Sequence, residues 1–213
     1  MIVAFCGPDG SGKTTHARLI YHTLCSKHVR VRYARLRSHH MIMYMVIKFL
    51  QLCGVLPRTS SPMELDFSIR HKFSKARSLL ALLELVSAIS WIILNIKLPK
   101  ALGYSIVAER YIPDFLVSLR ILTPNHKMKI TRLANSLMKR LCRNAIIIFL
   151  YSEPPILVER KRDEKITKYY AEYLLKIYRE VLSELKVISI DTSHVNVWKI
   201  HQALRNVVLK TIT

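Results

Sequence analysis

The segment Gly7-Pro-Asp-Gly-Ser-Gly-Lys-Thr14 constrains this chain more than any other. It fills the phosphate-binding pattern G-x-x-x-x-G-K-[ST], which works only as a loop between a buried strand and a helix. Both neighbours are readable. Ile2-Val-Ala-Phe-Cys6 is an apolar run suited to a buried strand, and residues 14–27 suit a helix with Leu19, Ile20, Tyr21 and Leu24 facing inward. Gly7, Gly10 and Gly12 let the loop take dihedrals that side chains resist. A loop so bent turns its backbone N–H groups inward, and the following helix adds the positive end of its dipole. Lys13 is then expected at the β- and γ-phosphates of a nucleotide, and the Thr14 hydroxyl at Mg²⁺. The expected nucleotide site is Gly7, Asp9, Gly10, Ser11, Gly12, Lys13, Thr14 and Thr15, with ATP and Mg²⁺ as cofactors.

Elements further along the chain alternate. Strands are expected at 29–36, 104–108, 145–151 and 186–190, and helices at 41–56, 127–143, 154–162, 166–185 and 195–210. Residues 64–98 read as mostly helical. Their second half, 79–98, nearly reaches the about 20 apolar residues of a membrane span. Glu84, Ser87, Ser90, Asn95 and Lys97 dilute it, and a helix buried against the sheet is the favoured reading. Strand–helix alternation predicts an α/β fold, a three-layer sandwich with a mostly parallel five-stranded sheet, as one domain over 1–213. Ligands in such folds gather at the carboxyl ends of strands. Gly7, Glu109, residues 151–153 and Asp191 each follow a predicted strand and are expected to converge.

Bulk properties narrow the class. With 51% hydrophobic residues and no biased tract, the chain is neither disordered nor low-complexity. Its four cysteines are widely spaced and form no CxxC pair, which predicts reduced thiols in a cytoplasmic protein; no signal-peptide pattern opens the chain. The 34 Lys and Arg against 14 Asp and Glu leave a formal charge of +20, which attracts phosphorylated ligands, nucleic acid or anionic lipid. No nucleic-acid motif accompanies the charge, so a nucleic-acid partner is not expected. Adjacent His39 and His40 lack a third ligand for zinc. Tyr169, Tyr170, Tyr173 and Tyr178 are at helical spacings and are expected to pack.

A second segment, Glu109-Arg110-Tyr111-Ile-Pro-Asp114, ends a predicted strand, where an acid can organise Mg²⁺ and an Arg can clamp a phosphate. Together with Gly7–Thr15, this segment resembles the thymidylate kinases, whose loop reads G-x-[DE]-G-x-G-K-[ST]-T and whose D-R-Y lies about a hundred residues on. The resemblance continues through Phe149-Leu-Tyr-Ser-Glu-Pro-Pro155, the arginines Arg160 and Arg162, and Val187-Ile-Ser-Ile-Asp191. It implies a phosphotransferase that moves a phosphoryl group from ATP to thymidylate, with a lid at about residues 153–168. It implies that Lys13, Glu109, Arg110, Arg160 and Arg162 are catalytic, that Thr14 and Glu109 serve Mg²⁺, and that Asp9 accepts from a sugar hydroxyl. The implied partner is a small-molecule acceptor, a nucleoside monophosphate, and the chain is expected to form a homodimer. Peripheral membrane contact is compatible with the apolar helix and the charge.

Three departures stand out. Glu109 replaces the family's Asp, Asp114 stands where a Ser is usual, and residues 85–91 lack the helix arginine that faces the acceptor phosphate. Arg35, Arg37, Arg70 and Arg110 are the candidates to replace it. The alternatives are a kinase of a nucleoside, sugar or lipid-linked acceptor, and a nucleotide-binding regulatory protein with weak turnover.

Overall fold

The structure, a computed structural model, describes residues 1–36, 41–58, 65, 68–69, 71–73, 76–123, 129–162 and 166–211. Five strands, β1 (Ile2–Cys6), β2 (Val31–Arg35), β3 (Ser105–Glu109), β4 (Ile146–Tyr151) and β5 (Val187–Asp191), form one sheet in the order β2-β3-β1-β4-β5. Every pairing is parallel, so the sheet goes beyond the mostly parallel expectation. Parallel neighbours need crossovers, and the helices between the strands supply them.

Side-chain alternation along the strands separates two cores. Val3 and Phe5 of β1, Val107 of β3 and Ile148 and Leu150 of β4 pack with α1 (Lys13–Ser26) and with the final helix, α9 (Val197–Leu209). Ile2, Ala4, Cys6, Ile106, Ala108 and Phe149 point the other way. They meet α3 (Arg77–Ile92), α5 (Ile112–Leu122) and α8 (Lys168–Leu182). Central strands buried on both faces explain the unbroken apolar runs in the sequence.

Beyond Ile92, α3 continues through a wide π-helical turn (Ile93–Lys97) into α4 (Leu98–Ala101). Pro99 lies just beyond this turn. A proline brings no N–H and needs room for its ring, and a widened turn supplies both. This helix is buried along one face, not all round as the buried-helix reading expects. Ala81, Leu85, Ala88, Ile92 and Ile96 are in the core, whereas Leu79, Val86, Ile93 and Leu98 are exposed. α2 (Met41–Leu52) stops before Gly54, which has φ of 72°. Lys129–Cys142 forms α6 and Pro154–Arg160 forms α7.

Helix α5 has no counterpart among the expected elements. Tyr111, Ile112, Phe115, Leu116, Val117 and Leu119 are all buried, so the segment lacks the polar face that reveals a surface helix. Its start was nonetheless encoded. Pro113 occupies the first turn, and Asp114 accepts from the Tyr111 N–H at 3.1 Å.

Candidate functional site

Three glycines shape the loop after β1. Gly7 has φ of 141°, and a Cβ there would lie 2.0 Å from the Leu150 carbonyl oxygen. No other residue fits between β1 and β4 at that point. Gly12, with φ of 85°, turns the chain into α1. Lys13 is buried at the start of that helix, and its Nζ donates to the Pro8 carbonyl at 2.5 Å, 3.6 Å from Asp9 Oδ1. Burial lowers the Lys13 pKa, and nearby Arg110 lowers it further.

Sheet register brings the acid to the loop. β3 aligns Glu109 beside Phe5 of β1 and beside Arg35 of β2. Glu109 therefore projects on the α1 side, where the Thr14 hydroxyl donates to its Oε1 at 2.6 Å. Arg35 Nε lies 3.2 Å from the same oxygen, and the Tyr33 hydroxyl donates to Oε2. Tyr33 and Arg35 alternate onto one face of β2, so the strand's period of two delivers both to Glu109. Burial, then the bond to Glu109, raises the Tyr33 pKa.

Arg110 takes φ of 63°, a left-handed conformation that a side-chain-bearing residue seldom adopts. Such strain, on the order of 1–3 kcal/mol, is characteristic of functional sites. Its N–H donates to the Phe5 carbonyl at 2.8 Å, and its guanidinium pairs with Asp9 and lies 3.9 Å from Asp114 Oδ1. Burial raises the Asp9 carboxyl, but Arg110, Lys13 and Lys161 outweigh it and hold the pKa at about 2. The Asp9 that the resemblance assigns to a sugar hydroxyl thus stands between two cations.

On the opposite face of the sheet, Tyr178 of α8 stacks on Phe149 and reaches the root of the loop. Its hydroxyl lies 2.9 Å from the Gly7 carbonyl oxygen and 2.8 Å from Asp114 Oδ1, which also accepts from the Gly7 N–H at 3.3 Å. The Tyr178 hydroxyl thus stands within reach of two acceptors at the root of the loop. Burial pushes the Asp114 carboxyl up, against Arg110 and Lys13.

Arg160 spans the far side of the loop. It donates to the carbonyls of Gly10 at 3.2 Å and Thr192 at 2.9 Å, tying α7 and the β5 exit to the loop. A crevice of about 440 Å³ opens between these groups. It is lined by Asp9, Gly10, Gly12, Lys13, Thr14 and Thr15, by Arg35, Glu109 and Arg110, and by Arg160, Lys161 and Thr192. His16, Val195, Val197 and Ile200 complete its wall. Burial, then His201, lowers the His16 pKa to about 4.

Not every expected residue lies there. Arg162 is 76% exposed and pairs with Glu159 at 3.2 Å, outside the crevice lining. Its position beyond the end of α7 turns it to solvent, away from Arg160. Asp191 accepts from the Ser193 N–H at 2.8 Å, and Glu153 lies 3.7 Å from His194, so residues 151–153 and Asp191 do not join the crevice. Gly7 and Ser11 of the loop itself also lie outside the lining, and Ser11 is buried with no partner for its Oγ. Of the four tyrosines expected to pack, Tyr169 is exposed. Arg37, His39, His40 and Arg70 lie outside the described residues.

The residues missed from the sequence are Tyr33, Tyr178 and Lys161, together with the role of Asp114. The Tyr33–Glu109 bond follows from strand register, and the Tyr178–Gly7 bond spans 171 positions, so neither leaves a local signal. The chain matches no model of a known protein family and no curated protein sequence.

Proposed function

We propose that the chain is a P-loop phosphotransferase that uses Mg-ATP, with a nucleoside monophosphate, thymidylate first, as acceptor. The observation that carries this reading is the meeting of Lys13, Thr14 and Glu109 in one crevice with Arg35, Arg110 and Arg160. Phosphoryl transfer asks for positioning and charge more than for covalent chemistry, and that set supplies both. Gly10, Gly12 and Lys13 would hold the donor phosphates. Arg160 would close over them from α7. Arg35 uses Nε on Glu109, which leaves its other nitrogens for the acceptor phosphate together with Arg110. An acceptor-phosphate oxygen forms the new bond to the γ-phosphorus, the β–γ bridge breaks, and ADP leaves.

The residues fit a hard cation. Thr14 Oγ1 and Glu109 Oε1, 2.6 Å apart, are oxygen donors of the kind Mg²⁺ takes. Among the described residues no group of three or more His, Cys, Asp or Glu could hold a metal, so the phosphates and water would complete the shell. When bound, the ion would neutralise phosphate charge; Thr14 and Glu109 would fix its place.

Steady-state kinetics with thymidylate test the acceptor side. Arg35→Ala and Arg110→Ala should each lower kcat/KM for thymidylate by about tenfold or more and leave the KM for ATP nearly unchanged. Equal effects on both substrates would place these arginines outside the acceptor site. A second reading, a lipid-linked acceptor, is favoured by one observation: residues 85–91 carry no cation, and the same helix exposes Leu82 and Val86. Transfer to a polyprenyl phosphate but not to thymidylate would select it.

A further inference from the structure

We propose that the outer face of α3 and its continuation through α4 is a docking surface for an anionic lipid bilayer. Leu79, Leu82, Val86, Ile93, Leu98 and Leu102 are all exposed, between 44% and 64%. Their spacing is that of one helical stripe, with the π turn shifting the register between Ile93 and Leu98. Twenty-three residues separate the ends of the stripe, about 35 Å of helix. Soluble chains scatter single apolar side chains over their surface; a line of six marks an interaction site. The neighbouring α2 adds exposed Met45 and Phe49.

Charge selects the occupant. Residues 37–104 carry nine Lys and Arg but three acids, and one of those, Glu84, is buried. Lys48 and Lys72 are exposed, and Lys100 flanks the stripe's far half, while Lys97 turns its Nζ to the Leu141 carbonyl at 3.4 Å. Apolar side chains rimmed by cations match the boundary between acyl chains and anionic headgroups. A second copy would bring the same cations to the same face, on a chain of net charge +20. The helix is long and apolar enough to cross a membrane, but its other face, with Leu85, Ala88, Ile92 and Ile96, belongs to the core. It would therefore lie on the bilayer with its apolar stripe inserted. The bilayer would meet the chain on the face of the sheet opposite α1, leaving the crevice open to soluble nucleotide.

Co-sedimentation of the full chain with vesicles tests this. Wild-type protein should bind vesicles of phosphatidylcholine mixed with phosphatidylglycerol, bind pure phosphatidylcholine less, and weaken with salt. The triple substitution Leu82→Gln, Val86→Gln, Ile93→Gln keeps the charge and should weaken binding by roughly tenfold or more. Circular dichroism checks its fold; if it fails to fold, Leu79→Gln with Leu98→Gln serves with the same expectation. Three results overturn the proposal: no binding by the wild type, variant binding as tight as wild type, or a lipid-free dimer that the same substitutions split.

Discussion

On the proposed donor side of the crevice, the glycine-rich loop is held from both faces of the sheet. Thr14 is tied to Glu109 on the α1 face, Gly7 to Tyr178 and Asp114 on the other, and Gly10 to Arg160 from above. The proposed acceptor side is built from fewer parts. Arg35 is 49% exposed and fixed through one nitrogen, and Arg110 is committed to Asp9. The stretch of α3 that the resemblance would furnish with an arginine is apolar. A loop proposed to bind phosphate must present a fixed set of N–H groups, which an over-determined geometry supplies. A side proposed to select among acceptors can vary, and here its cations come from strand ends.

Lys13→Ala should strike the donor side hardest. The buried ammonium is the one cation carried by the loop itself, and its loss should lower turnover about a thousandfold, about 4 kcal/mol, with the fold kept. Turnover near wild type would mean that the loop does not carry the chemistry.

His16 gives a stability test of the same side. Its pKa is about 4 in the folded chain against 6.5 as the ordinary value, so the unfolded chain binds the extra proton between those limits. The stability from neutral His16 is present above pH 6.5 and is lost as pH falls toward 4, up to about 3 kcal/mol. Urea unfolding of wild type and His16→Gln across that window should show the wild type losing stability more steeply as pH falls. Parallel curves would mean that His16 is protonated alike in both states.

Glu109→Gln should keep ATP binding and cut kcat about a hundredfold, because it removes charge from the oxygens proposed to organise the cation. An unchanged kcat at low Mg²⁺ would reduce Glu109 to a partner of Thr14, Tyr33 and Arg35. Tyr178→Phe is the mildest change. It removes one hydroxyl from Gly7 and Asp114, and chemical unfolding should report a loss of about 1 kcal/mol. No loss would mean that packing on Phe149 alone holds α8 to the loop.

The donor side was also the more legible in sequence. Gly7 to Thr15 are contiguous, and each residue type has a local reason to be there. The central strands β1, β3 and β4 are readable as short buried apolar runs, and β2 by its alternation of apolar and basic residues. Glu109 and Arg110 were found because they end a strand. What brings Tyr33 and Tyr178 to the site is strand register and layer packing, which no local window contains. Arg162 shows the converse: two residues after Arg160 in sequence, it lies past the end of α7 and points to solvent. Helix α5 escaped because burial on nearly all sides erased its period.

The most direct measurement is the fate of labelled γ-phosphate when the purified full chain meets Mg-ATP and thymidylate. The proposed activity predicts label in thymidine diphosphate from the wild type and a thousandfold less from Lys13→Ala. Label that never leaves ATP for thymidylate, or that moves equally well without Lys13, would contradict it.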